Sequence, residues 1–240
     1  MNLKTIKHIA ISSIYEAKGS KFSYIIFSFL VILSYVSILL GIMAVWEEKK
    51  ILSDFFLSIT QVGVLFWSLI MLATSISSDI ETKRIYLILS RPVRKYEYLL
   101  GRFLGIIILS FLIIVFVTLI FFILLLIKRY KIEWGYVNNL GFIFIKICVI
   151  SSISLLFTVI TTSVYTSFII SMMVWFVAHF VNELKFALSK INGFIFMKYL
   201  LYLIPDFSLI DKKIGYVYMF VYFFIFTFIS LILFERKEIT

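Results

Sequence analysis

Cysteine, histidine and proline are nearly missing from this chain of 240 residues: one cysteine, two histidines and two prolines. A single cysteine, Cys148, excludes a disulfide framework and any cysteine-based metal site. It lies inside an apolar run and reads as a small buried hydrophobe. His179 with one nearby glutamate, Glu183, falls short of the three or four ligands that a metal centre needs. Charge is scarce too, at 15% of residues, where a soluble domain carries roughly a quarter. The first 20 residues, MNLKTIKHIAISSIYEAKGS, contain no apolar stretch long enough for the core of a cleavable signal peptide.

What fills the chain instead is hydrophobic side chains, 62% of the total, among them 27 Phe and 14 Tyr. They come in blocks, several of which reach the roughly 20 apolar residues that a helix needs to cross a bilayer. The blocks predict an all-α integral membrane protein forming a single domain over residues 1–240. Six spans are expected, at about 22–46, 55–78, 103–127, 142–164, 168–188 and 216–234. Ahead of them, Leu3, Ile6, Ile9, Ala10 and Ala17 recur at near-helical spacing, with Lys4, Lys7, Glu16 and Lys18 on other faces. That pattern predicts an interfacial helix leading into the first span. Before the last span, GFIFMKYLLYLIP (193–205) is apolar but short and stopped by Pro205, which suits a re-entrant or interfacial piece.

The net charge is +10, yet its placement does not call for nucleic acid. The basic residues sit almost entirely between spans, where topology and anionic lipid headgroups account for them. With the N-terminus inside, the cytoplasmic segments hold 12 Lys and Arg and the outer loops 10, five of those in the 183–215 segment. Leaving out that segment, part of which is expected to lie along the membrane surface, the bias predicts both termini on the cytoplasmic side.

One connector stands apart. ETKRIYLILSRPVRKYEYLLGR (81–102) holds four of the six arginines and Pro92. Residues Asp79 to Leu89 are good helix formers, with Ile85, Ile88 and Leu89 on one strip. Pro92 biases Arg91 away from the helical region, so a break is expected at Ser90–Arg91. A new helix should begin with Pro92 in its first turn. The expectation is a helix–elbow–helix, charged outward and apolar toward the membrane or a partner groove. A positively charged loop that only fixes topology would need no partner.

The order of residues in this passage resembles the signature region of type-2 ABC exporter permeases, the membrane subunits of an ATP-driven export family. Asp79 and Glu81 correspond to an acidic pair, IYLILSRPVR (85–94) to the middle of the motif, and YLLGR (98–102) to its close. Arg84, where threonine is usual, and the added Lys95 depart from the pattern. IPDFSLID (204–211) looks like the stretch often found before the last span. The resemblance implies six spans, an N-terminal interfacial helix, a cytoplasmic coupling helix between spans two and three, and a prokaryotic cell membrane. It also implies that the connector fits a groove on a separate cytoplasmic ATPase, whose closure on ATP alternates the pathway between inward and outward access. Asp79, Glu81, Arg84, Ser90, Arg91, Pro92, Arg94 and Glu97 are the residues expected at that contact.

No G-x-x-x-x-G-K-[ST] phosphate loop occurs in the sequence. ATP and Mg²⁺ are therefore expected on the partner, with no cofactor on this chain, which is expected not to be an enzyme by itself. The other expected partners are membrane lipids and a second permease, identical or not. A six-span scaffold without transport activity is the alternative, and a neighbouring gene for an ATPase would separate the two. An intramembrane hydrolase would need a nucleophile or paired metal ligands deep in the bilayer, and none is evident. The remaining polar candidates are Gln61, His179, Asn182 and Glu183, either pathway residues or a structural hydrogen-bond cluster near the outer end. Lys146 suits snorkelling to the outer interface. Gly101 and Gly105 form a small-xxx-small pair that permits close packing against a neighbour, including a second copy. The aromatic-rich spans suit a hydrophobic or amphipathic cargo.

Overall fold

The computed structural model describes residues 3–43, 48–90, 93–130, 134–189, 201, 203–209 and 213–237. Every regular element among them is helical. In chain order these are α1 (Leu3–Gly19), α2 (Lys21–Met43), α3 (Glu48–Glu81), α4 (Arg84–Leu89), α5 (Lys95–Ile127), α6 (Trp134–Thr161), α7 (Val164–His179), α8 (Val181–Ser189) and, after a 3₁₀ turn at Phe207–Leu209, α9 (Lys213–Arg236).

Five helices (α2, α3, α5, α6 and α9) are long and apolar enough to cross a membrane, or six if the bent pair α7–α8 forms one span. At 1.5 Å per residue, α3 and α5 are each about 50 Å long. The hydrocarbon core is about 30 Å thick, so both helices project beyond it. Their projecting ends carry the polar clusters described below.

The arrangement in the bundle follows from where hydroxyls can be satisfied. More than half of the α3 and α6 span residues are buried, against about a quarter in α2, α5 and α9. α3 and α6 are also the spans studded with Ser and Thr. Most of these hydroxyls bond back to the preceding turn, as Thr60 to the Phe56 carbonyl (2.8 Å) and Thr158 to that of Ser154 (2.8 Å). Others cross between helices: Ser151 donates to Ser68 (3.4 Å), and the Thr158 and Ser167 hydroxyls lie 2.6 Å apart. Lipid tails offer no such partners, so the helices richest in hydroxyls, α3 and α6, occupy the centre, and α2, α5 and α9 turn more of their surface outward. Toward the end of the bundle where α3 begins, Phe56, Phe121 and Tyr136 stack with ring centroids 4.2 and 4.8 Å apart.

Several boundaries differ from the sequence reading. α3 begins at Glu48, seven residues before the expected start, because Glu48 is held by Lys128 and Tyr130 and the loop EEKKILSD largely joins the helix. The turn between the fourth and fifth spans lies at Thr162–Ser163, with Thr162 at φ 54°, and not at YTS (165–167). The fifth span is no continuous 168–188 helix. It breaks at Phe180 (φ −112°, ψ 16°), and α8 leaves at 71° to α7. Trp46 and most of the 193–205 piece lie outside the described residues.

Candidate functional site

The connector leaves α3 at Glu81 and turns at Lys83, whose φ of 57° lies in the left-handed region. That break precedes α4, so the expected helix over residues 79–89 is two pieces. Ser90 caps α4, its amide donating to the Tyr86 carbonyl at 2.9 Å. Arg91 and Pro92, the expected elbow, lie outside the described residues. Arg94, extended at φ −79° and ψ 149°, is the N-cap of α5. Its amide donates to the Glu97 carboxylate at 3.4 Å, a capping-box contact that sets the helix start. The helix therefore begins at Lys95, later than the start expected at Pro92.

Burial divides the expected contact residues into two groups. Glu81, Arg84, Ser90 and Arg94 are exposed. Asp79 and Glu97 are buried, Glu97 as the cap just described. The sequence reading passed over Leu87, which is 74% exposed at the tip of α4, while its neighbour Ile85 is fully buried in the core formed by α3, α5, α6 and α9. The signal was available: Leu87 lies off the Ile85–Ile88–Leu89 strip, an apolar side chain on the charged face.

At the end of α3, Asp79 Oδ2 accepts from Tyr98 Oη at 2.5 Å and from Arg102 Nη2 at 2.5 Å. The other terminal nitrogen of Arg102 pairs with Glu16 on α1. Arg102 and Asp79 have side chains only 5% exposed, whereas Glu16 is 54% exposed. A buried charge persists only when paired and hydrogen-bonded, and the forked guanidinium is suited to holding two carboxylates at once. Tyr98 stacks on Phe234 (6.2 Å between centroids), which brings α9 to the same point. Arg102 closed the YLLGR motif in the sequence, but its two carboxylate partners, 86 and 23 residues away, left no mark in local spacing.

α1 packs along the start of α5, burying Ile6, Ala10, Ser13 and Ala17. A Cβ on Gly101 would lie 2.7 Å from Ile9 Cβ, and one on Gly105 would lie 2.6 Å from the Ala10 carbonyl. The Gly101–Gly105 pair thus receives α1 of the same chain. A cleft lined by Lys4, Thr5, His8, Ile9, Leu87, Ile88 and Val93 separates α1 from α4. The C-terminal end of α9 also reaches this cluster. Lys95 Nζ donates to the Lys237 carbonyl at 2.8 Å, and Lys237 Nζ donates to the Val159 carbonyl at 2.5 Å. Burial lowers the pKa of the Lys237 ammonium below its usual value.

At the opposite end of the bundle, the four polar candidates separate into two sites. His179 Nδ1 donates to the Trp175 carbonyl (3.0 Å), which leaves Nε2 to accept from Gln61 Nε2 (3.1 Å). Phe207 covers this imidazole edge-on at 5.3 Å, with Lys146 Nζ 5.6 Å from the same phenyl ring. Asn182 and Glu183, carried off by the bend at Phe180, are exposed. Asn182 donates to Ser208 instead. The buried Asp206 accepts from the Ser208 amide (3.0 Å) and faces Lys185 at 3.5 Å. These contacts tie the Phe207–Leu209 turn to α8 and α7.

No curated protein matches the chain. The family model described as ABC-2 family transporter protein matches residues 43–211, more than two thirds of the sequence, running from the end of α2 to just before α9 and including the whole connector. With several helices long and apolar enough to cross a bilayer and a match of that extent, the chain belongs to the ABC-2 transporter family and is a multi-pass membrane permease.

Proposed function

We infer that this chain is the membrane-spanning subunit of an ATP-driven exporter, one domain over residues 1–240 in a prokaryotic cell membrane with both termini cytoplasmic. It alternates access to a pathway in the membrane, and the work comes from a separate cytoplasmic ATPase that holds ATP and Mg²⁺. α4 serves as the coupling helix, and α1 lies at the cytoplasmic membrane surface. The segment ending at the Phe207 turn is re-entrant or interfacial at the outer face. A second permease, identical or homologous, completes the pathway. A hydrophobic or amphipathic cargo suits its apolar, aromatic walls.

The observation that carries this reading is the form of α4. Leu87 is 74% exposed on α4, a helix that also carries the exposed Arg84 and whose Ile85 is buried in the same core as Tyr98. A loop that only fixed topology would need charge but no apolar tip and no buried anchorage. An exposed apolar residue on a helix anchored in the core is what a protein groove receives.

The test is copurification of a phosphate-loop ATPase co-expressed from the same gene neighbourhood, where one is found, with wild type and with a variant carrying Arg91→Glu and Arg94→Glu. Wild type retains the ATPase and the variant loses it. Equal retention by both removes the docking role, and no retention by wild type favours the scaffold alternative.

A further inference from the structure

We propose that Arg102 is a positioning residue: by holding Glu16 and Asp79 together it joins α1, the end of α3 and the start of α5 into one rigid body, so that α1 moves with the connector. This rests on the reading of α4 as the coupling helix and adds an element, α1, to what the ATPase moves.

Three observations carry it. The first is the two-armed arginine. One arm reaches a buried carboxylate on α3 and the other a half-exposed carboxylate on α1, from a guanidinium on α5 that is itself buried. An interfacial helix needing only the membrane surface has no use for a charge contact directed inward. The second is backbone proximity. Gly105 lets α5 approach the Ala10 carbonyl closely enough that a Cβ there would sit at 2.6 Å, against backbone that cannot yield as a side chain can. Contacts of that kind have one register and transmit displacement. The third is continuity into the spans. Ser23 donates to the Ala17 carbonyl at 2.5 Å, and Trp67 donates to the same Ser23 at 2.9 Å. The junction of α1 and α2 is thereby fastened to the middle of α3. A displacement of α4 relayed through Asp79 to Arg102 reaches α1 directly and α2 through it.

The experiment is hydrogen–deuterium exchange on the full-length permease in lipid nanodiscs, comparing wild type with Glu16→Gln and Glu16→Lys. Glu16 is exposed enough that both variants keep the buried Arg102–Asp79 pair and fold. In Glu16→Gln the amides of residues 3–19 should exchange roughly two- to fivefold faster, the range expected for losing one partly exposed ion pair. In Glu16→Lys, where a second cation faces Arg102, they should exchange faster still, with the centre of α6 unchanged in both. In the ATPase complex, ATP should alter exchange in α1 and at the start of α5 together in wild type, and at the start of α5 alone in Glu16→Gln. Unchanged α1 exchange in both variants overturns the clamp. So does a wild-type complex in which ATP affects α5 and leaves α1 untouched. If wild type binds no ATPase, the coupling reading fails separately, and the comparison on the permease alone still decides whether Glu16 holds α1.

Discussion

Two carboxylates and one guanidinium meet where α1, α3 and α5 converge, and the cost of removing each is unequal. Asp79→Asn or Arg102→Leu strands a buried charge, a change that typically costs about 3–5 kcal/mol. Glu16→Gln removes a half-exposed partner and should cost no more than about 1 kcal/mol. Thermal unfolding of the purified variants in one detergent would show that order, and equal midpoints would show that the pair is not anchored. The glycines make a second contrast. Gly105→Ala presses a methyl group against the Ala10 carbonyl and should lower stability. Gly141→Ala, with nothing within 4 Å, should hold or raise it by up to about 1 kcal/mol, the helix preference of alanine over glycine. The same unfolding assay reads both.

At the level of elements, α4 is the piece where stability and function should separate. Leu87 touches solvent and not the core, so Leu87→Glu should leave the unfolding midpoint within about 0.5 kcal/mol of wild type. It should nonetheless abolish copurification of the ATPase. Elements were legible in the sequence to the extent that local chemistry specified them. The apolar blocks marked out the long helices, and the charged connector with Pro92 marked a separation between α3 and α5, though the break seen at Lys83 was not foreseen. Not legible were features set by partners distant in the chain. Glu48 joined α3 because Lys128 and Tyr130 hold it. α7 parted from α8 at Phe180, where no proline or glycine marks the bend, and His179 turned inward to Gln61, 118 residues earlier. Lys83 adopts a left-handed turn that its residue type does not announce. Gly101 and Gly105 were recognisable as a close-packing pair, but only the fold reveals that α1 of the same chain fills it.

For the whole molecule, the proposed sense of insertion can be tested at the two ends where charged groups gather. α1, α4, the start of α5 and Lys237 collect at one end, and Glu48, Lys128 and the His179–Phe207 cluster at the other. In the proposed orientation, with lysine and arginine in excess on the inner side, the first end faces the cytoplasm. A cysteine introduced as Lys49→Cys should then react with a membrane-impermeant thiol reagent in intact cells. Labelling only after the cells are broken would reverse the orientation. At Arg102 helices α1, α3 and α5 meet, with α9 alongside, which makes the charged connector the outer part of a buried joint.

The central claim is that ATP binding on a partner moves this chain through the elbow, and accessibility at the far end of the bundle reads that movement without knowledge of the cargo. Asn138 is exposed near the start of α6, remote from α4. In the ATPase complex, an Asn138→Cys permease should change its rate of thiol labelling when ATP is added, and the change should vanish when Leu87→Glu is introduced. A labelling rate at position 138 that stays the same with and without ATP, in a complex that binds and hydrolyses ATP, would contradict the account.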